Sequence, residues 1–219
     1  MRGGFVSLWL VSSLAGAVAC GGRSVNDKNT ALVAPDHLRS SEYASAASRY
    51  QRACDHGSAQ ACGYLGFMYD NGQGVPPDIG LGVTLSERSC GDGGAYGCAY
   101  LGYLYQVGRG VTQDVSRAAS LFRKACDGDD ASGCLLLGIM YKTGSGVTED
   151  PEYAVQLFRK ACDDGEGLAC ASLGYMYANG EGVDQDRDHA KELFRTACAG
   201  GDEIGCQAET QLAEQHAVP

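Results

Sequence analysis

The cysteines of this chain fall on a fixed period. Cys54, Cys90, Cys126, Cys162 and Cys198 are 36 residues apart, and Cys62, Cys98, Cys134, Cys170 and Cys206 follow them by eight. Other columns keep the same phase: Leu65 to Leu173, Gly66 to Gly174, Tyr69 to Tyr177, Gly72 and Gly74 to Gly180 and Gly182, and Val75 to Val183. A period of this length is the mark of a solenoid, in which each unit buries its apolar face only against its neighbours.

The unit reads as two helices. In residues 150–183, Asp150 supplies an N-cap, and Asp78, Asp114 and Asp186 hold the same phase. Ala154, Leu157, Phe158 and Ala161 lie at i, i+3, i+4 and i+7, one helical face. Residues 163–167 form a turn. Leu168, Ala169, Ser172, Leu173 and Met176 mark a second helix, which Gly180 stops. The sequence therefore predicts an all-α, right-handed α/α solenoid of five helix hairpins over residues 41–214. The repeats run at about 41–75, 76–111, 112–147, 148–183 and 184–214. Gly66 and its column lie inside the second helix, where glycine costs about 1 kcal/mol against alanine. A close approach of the two helices is the expected compensation. Gly80 and Gly82 make the first helix of the second repeat the expected weak element. In the last repeat Glu209 and Thr210 replace Leu and Gly, as suits a polar cap.

Each first cysteine ends one helix and each second cysteine begins the next. A short turn brings such positions within disulfide reach. Five bridges are expected: Cys54–Cys62, Cys90–Cys98, Cys126–Cys134, Cys162–Cys170 and Cys198–Cys206. Isolated buried thiols and zinc are the alternatives. Zinc sites favour closer cysteine spacings and a nearby histidine motif. Bridges need an oxidising compartment, and the N-terminus agrees. Arg2, an apolar run from Phe5 to Ala19 and small residues before Cys20 read as a signal segment, residues 1–19. Ala17-Val18-Ala19 suits signal peptidase I, and Ala17-Val18-Ala19-Cys20 resembles a lipoprotein box that would lipidate Cys20. Cys20 is the odd one of 11 cysteines. Residues 20–40 read as a flexible tether and 215–219 as a tail.

With 17 basic against 27 acidic residues, nucleic acid is disfavoured as a partner, and a membrane is expected only through the N-terminal anchor. No serine-enzyme set is complete. Lys142-Thr143-Gly144 is present, but Gly144 is the repeat's loop glycine, and neither Ser-x-x-Lys nor Ser-Asp-Asn accompanies it. His37, His56, His189 and His216 are isolated, so no metal or cofactor is expected. The paired acids Asp129-Asp130 and Asp163-Asp164 read as solvated groups before a helix N-terminus. No catalytic residue is assigned. Binding has better candidates. Arg123, Arg159 and Arg195 share one column, and Arg52, Arg88, Lys124 and Lys160 the next. They read as a solvated face paired with acidic turns, or as a contact strip for an acidic partner. The Tyr69–Tyr177 column reads as packing between repeats.

The Ala-Cys…Gly-Cys-x-x-Leu-Gly-x-x-Tyr…Gly-x-Gly-Val pattern resembles the Sel-1-like repeat family, relatives of the tetratricopeptide repeats, and its cysteine-rich bacterial envelope branch. The resemblance covers residues 41 to about 214. It implies one disulfide per repeat and a scaffold or adaptor that binds a protein or peptide, here expected as a monomer in the envelope or secreted. It also implies an alternative, because some cysteine-rich members are assigned as β-lactamases or penicillin-binding proteins.

Overall fold

The computed structural model describes the backbone over residues 36–215 and the side chains over 41–211. The signal segment, Cys20 and residues 216–219 lie outside the described residues. Ten helices follow one another within this unit, and no strand occurs among the described residues. They are α1 (Asp36–Asp55), α2 (Ala59–Asn71), α3 (Ile79–Gly91), α4 (Ala95–Val107) and α5 (Val115–Asp127). Then come α6 (Ala131–Thr143), α7 (Pro151–Asp163), α8 (Gly167–Asn179), α9 (Arg187–Ala199) and α10 (Glu203–Gln215). Helix α1 starts at Asp36, inside the stretch expected to be tether. The result is an α/α solenoid.

Local chemistry sets the ends of these helices. Asp78, Asp114, Asp150 and Asp186 each accept a bond at 2.9 Å from the N–H three residues on, the N-cap bond of α3, α5, α7 and α9. The backbone N–H of each cap donates to the carbonyl of Tyr69, Tyr105, Tyr141 or Tyr177, which ties the loop to the preceding helix. Gly180 ends α8 at φ 71°, a left-handed conformation that glycine adopts without steric cost. Gly182 is also left-handed, and a Cβ there would strike the backbone of Pro151 and Glu152, so the loop seats directly on the first turn of α7.

The sequence reading takes the disulfide hairpin as the packing unit, with the glycine column held against its own first helix. The structure places the tighter pair elsewhere. Each even helix packs most extensively on the odd helix that follows it across the loop. The glycine column marks that junction. A Cβ on Gly102, Gly138 or Gly174 would lie 2.7–2.8 Å from the rings of Phe122, Phe158 or Phe194. These three rings are among the most buried side chains in the molecule. At the first junction Ser86 stands where the others have Phe, and a Cβ on Gly66 would lie 2.8 Å from the Gly82 carbonyl. Gly82 is thus a packing residue, and α3 forms around it.

Candidate partner-binding surface

Five disulfides close the turns between odd and even helices: Cys54–Cys62, Cys90–Cys98, Cys126–Cys134, Cys162–Cys170 and Cys198–Cys206. Their Cα–Cα separations are 4.4–4.7 Å. Only small residues fit beside them. A Cβ on Gly133 would press on Ala125, and one on Gly97 on Ser89. The staple fixes how each even helix sits against its predecessor, and so fixes the surface that the even helices share.

That surface is the inner curve. Helix α2 touches α4, α4 touches α6, and α8 touches α10, while no comparable contact joins two odd helices among the described residues. The residues facing inward follow i, i+4, i+7 and i+11 along each even helix. They are Gln60, Tyr64, Phe67 and Asn71 in α2, and Tyr96, Tyr100, Tyr103 and Val107 in α4. Helix α6 gives Ser132, Leu136, Ile139 and Thr143, α8 gives Leu168, Ser172, Tyr175 and Asn179, and α10 adds Ile204 and Gln211, while Ala208 of that column packs into the core with Ala190 and Phe194 of α9. None of these positions carries a charge, on a chain with 20% charged residues. The strip opens on an aromatic run. Tyr50 meets Tyr64 at 5.3 Å between centroids, Tyr64 meets Tyr96 at 4.4 Å, and Tyr100 meets Phe67 at 5.2 Å and Tyr103 at 6.1 Å. Towards the C-terminal repeats it mixes aliphatic residues such as Leu136, Ile139, Leu168 and Ile204 with Ser172, Tyr175 and Asn179.

Polar groups close one edge. The Tyr100 hydroxyl donates to Asp70, and Arg109 Nε donates to the other Asp70 oxygen at 2.9 Å. Arg109 also donates to the Asp70 carbonyl at 3.1 Å. Burial, then the Asp70 hydrogen bond, push the Tyr100 phenol well above its usual range. Burial, with Tyr64 and Asp130 adding to it, does the same for Tyr96. Two repeats further on, the same two columns hold Lys142 and Glu181, paired at 2.9 Å with the charges exchanged. Lys142 and Thr143 close helix α6 and Gly144 is its left-handed cap, so the Lys-Thr-Gly triplet occupies a repeat position.

The basic columns lie outside this strip, and most of their cations have partners. Arg123 donates to the Tyr141 hydroxyl, Arg159 to that of Tyr177 at 2.8 Å, and Arg195 to Glu209 at 3.2 Å. Arg88 donates to the Cys54 carbonyl at 3.1 Å and Lys160 to the Cys126 carbonyl at 2.7 Å. Each thus caps the C-terminus of the odd helix one repeat back, where a cation also suits the helix dipole. Lys160 pairs with Asp129 at 2.9 Å too, and Arg52 reaches only the Ser48 carbonyl of its own helix. Lys124 is exposed. A shallow open depression sets Arg159 and Lys160 beside Asp129, Asp163 and Asp164. The Tyr69–Tyr177 column packs between repeats. Arg117 lies over Tyr105 at 4.2 Å, Tyr153 meets Tyr141 edge-on at 4.8 Å, and His189 meets Tyr177 at 4.5 Å. His56 Nδ1 donates to the Arg52 carbonyl.

Sequence reasoning singled out the basic columns and missed the inner strip. The signal was present as four columns without one charged residue, but it shows only once the even helices are known to face inward.

Stacked helix pairs, a disulfide at every turn and a shared uncharged inner face define a helical-repeat scaffold. A model of the Sel1 repeat matches residues 59–93, 95–130, 131–166 and 167–202. The chain belongs to the Sel1 repeat family. The family's register starts at the even helix, so in that frame Cys90–Cys98, Cys126–Cys134 and Cys162–Cys170 each join consecutive matched repeats. The chain is similar to a protective antigen of uropathogenic Escherichia coli strains that displays an SLR fold, at 31% identity and TM-score 0.70. That match covers 83% of this chain and 40% of the antigen, so the chain spans about two fifths of its length. It is also similar to a Sel1 repeat protein from Oxalobacter formigenes, at 25% identity and TM-score 0.71, over 80% of this chain and 71% of that one. Helicobacter pylori cysteine-rich protein B aligns at 26% identity and TM-score 0.48, over 60% of this chain and 97% of that one. No curated protein matches the chain. The disulfides indicate an oxidising, extracytoplasmic setting. No helix among the described residues is long and apolar enough to cross a membrane.

Proposed function

We propose that this protein is a monomeric envelope scaffold that holds an extended segment of a protein partner along its inner strip. The observation that carries this reading is the strip itself, uncharged and aromatic on an acidic chain. Exposed uncharged surface set with aromatic side chains marks interaction sites, and tyrosines anchor them at low entropic cost. The Ala17-Val18-Ala19-Cys20 sequence supports lipid attachment at Cys20, and labelled palmitate that persists in Cys20→Ala would overturn that part.

The test is crosslinking and pull-down from envelope extracts with wild-type and variant protein. Tyr64→Ala and Tyr103→Ala are expected to lose the partner, each by about fivefold or more in affinity. Charge reversal at Arg123, Arg159 and Arg195 is expected to keep it, because these cations already serve neighbouring helices. The opposite pattern would make the basic columns the contact surface, with an acidic partner. Robust nitrocefin turnover by the pure protein would instead favour the hydrolase that some cysteine-rich relatives suggest.

A further inference from the structure

The inner strip has two unlike rims. At the C-terminal ends of the even helices its charges are matched, Asp70 by Arg109 and Lys142 by Glu181. At the N-terminal ends they are not. The cap column there reads Ser58, Gly94, Asp130, Glu166 and Asp202. The last three stack one repeat apart, close enough for Asp130 and Asp202 to raise the Glu166 carboxyl further after burial has done so. Burial raises Asp130 as well. No cation lies within ion-pair distance of any of the three among the described residues. Asp130 and Asp202 do cap their helices, accepting from Gly133 and Gly205 at 2.7 Å, and the helix dipole favours an acid there. Capping does not require the charge, however. Ser58 caps α2 without one, and α4 starts at Gly94 with no side-chain cap.

The row also abuts the strip. Ser132, one of the inward positions, donates to Glu166 at 3.3 Å, and Asp130 acts on Tyr96. The wider charge distribution has the same polarity. Residues 149–219 hold 15 acids against 5 bases, whereas residues 36–148 hold 11 against 9. Five even helices spaced about 8–10 Å apart span about 32–40 Å. An extended segment covers that with about 12 residues.

We propose that the strip takes an extended protein segment whose uncharged run lies on the aromatic repeats and whose lysine or arginine side chains reach Asp130, Glu166 and Asp202. This rests on the inner-strip reading and adds the chemistry and the direction of the segment. A bound cation relieves carboxylates that the fold leaves half-buried and unpaired, while acidic segments are repelled.

The experiment is selection from a random dodecapeptide display library on the immobilised full chain, followed by anisotropy with the enriched peptides. Wild type is compared with Asp130→Asn/Glu166→Gln/Asp202→Asn, which keeps capping oxygens, and with Tyr64→Ala. The urea midpoint of each variant confirms folding. Enriched peptides are expected to carry Lys or Arg at one end of an uncharged run. The triple amide variant is expected to weaken them about tenfold and to flatten their salt dependence. Enriched peptides without cations, or wild-type affinity in the triple variant, would overturn the acid row. If Tyr64→Ala still weakens binding in that case, the strip stands and only its cation preference falls. No enrichment, or no loss in either variant, removes both.

Discussion

The first inter-helix junction and the three that follow it solve one packing problem in two ways. Between α2 and α3 the contact is nearly backbone on backbone, Gly66 against Gly82, with the Ser86 hydroxyl turned onto the Gly82 carbonyl at 2.8 Å. Between α4 and α5, α6 and α7, and α8 and α9, a buried phenylalanine fills the notch over glycine. One junction thus relies on proximity, and the others on apolar volume. Deletion at the shared column therefore separates them. Phe158→Ala is expected to cost about 3–5 kcal/mol. Ser86→Ala removes one hydroxyl bond and is expected to cost about 1 kcal/mol. Urea midpoints of the oxidised proteins measure both, and equal losses would mean that the junctions are equivalent.

Beside that junction a polar lock ties α2 to α4 and the loop after it. Asp70, with 2% of its side chain exposed, joins Tyr100 and Arg109. Asp70→Ala leaves the buried Tyr100 hydroxyl without its acceptor and is expected to cost about 1–3 kcal/mol. Asp70→Asn keeps an acceptor and should recover part of this. If Asp70→Ala unfolds no more easily than wild type, the lock adds nothing to the hold of α2 on α4.

How far the sequence discloses this differs by level. The period, the helix pair and the place of each cysteine at a helix end are legible because capping, glycine stops and apolar spacing are local. Which helix the Gly66 column faces is not legible, since the following odd helix meets it across a loop whose path depends on the whole stack. The basic columns show the same limit. Arg88 and Lys160 look like free cations in the chain, and only stacking reveals the carbonyls of Cys54 and Cys126 beneath them. Asp70 and Arg109 are 39 residues apart, out of phase with the repeat, so no column alignment pairs them.

Alkali tests the same lock more gently. A tyrosine titrates near pH 10 in an unfolded chain, to about the unit. Tyr96 and Tyr100 are raised above that in the fold. The folded state then holds protons that the unfolded state has lost, so stability is full below about pH 10 and falls as pH rises further. Tyr100→Phe removes one of the two raised phenols and should flatten that fall, measured as urea midpoint against pH from neutral upwards. An unchanged slope would mean that Tyr100 does not contribute.

The smallest effect belongs to the pair that repeats the lock in reverse. Lys142 and Glu181 sit in the Asp70 and Arg109 columns, but their side chains are 36% and 42% exposed and no tyrosine joins them. Water screens such a pair, so Lys142→Ala is expected to cost at most about 1 kcal/mol, and less in high salt. A double-mutant cycle with Glu181→Ala isolates the coupling. The same two positions then give a large effect where the carboxylate is buried under Tyr100 and a small one where both ends meet solvent. If a matching cycle over Asp70→Ala and Arg109→Ala returns an equal coupling, burial is not what distinguishes the two pairs, and the second ion pair is part of the fold's core rather than its surface.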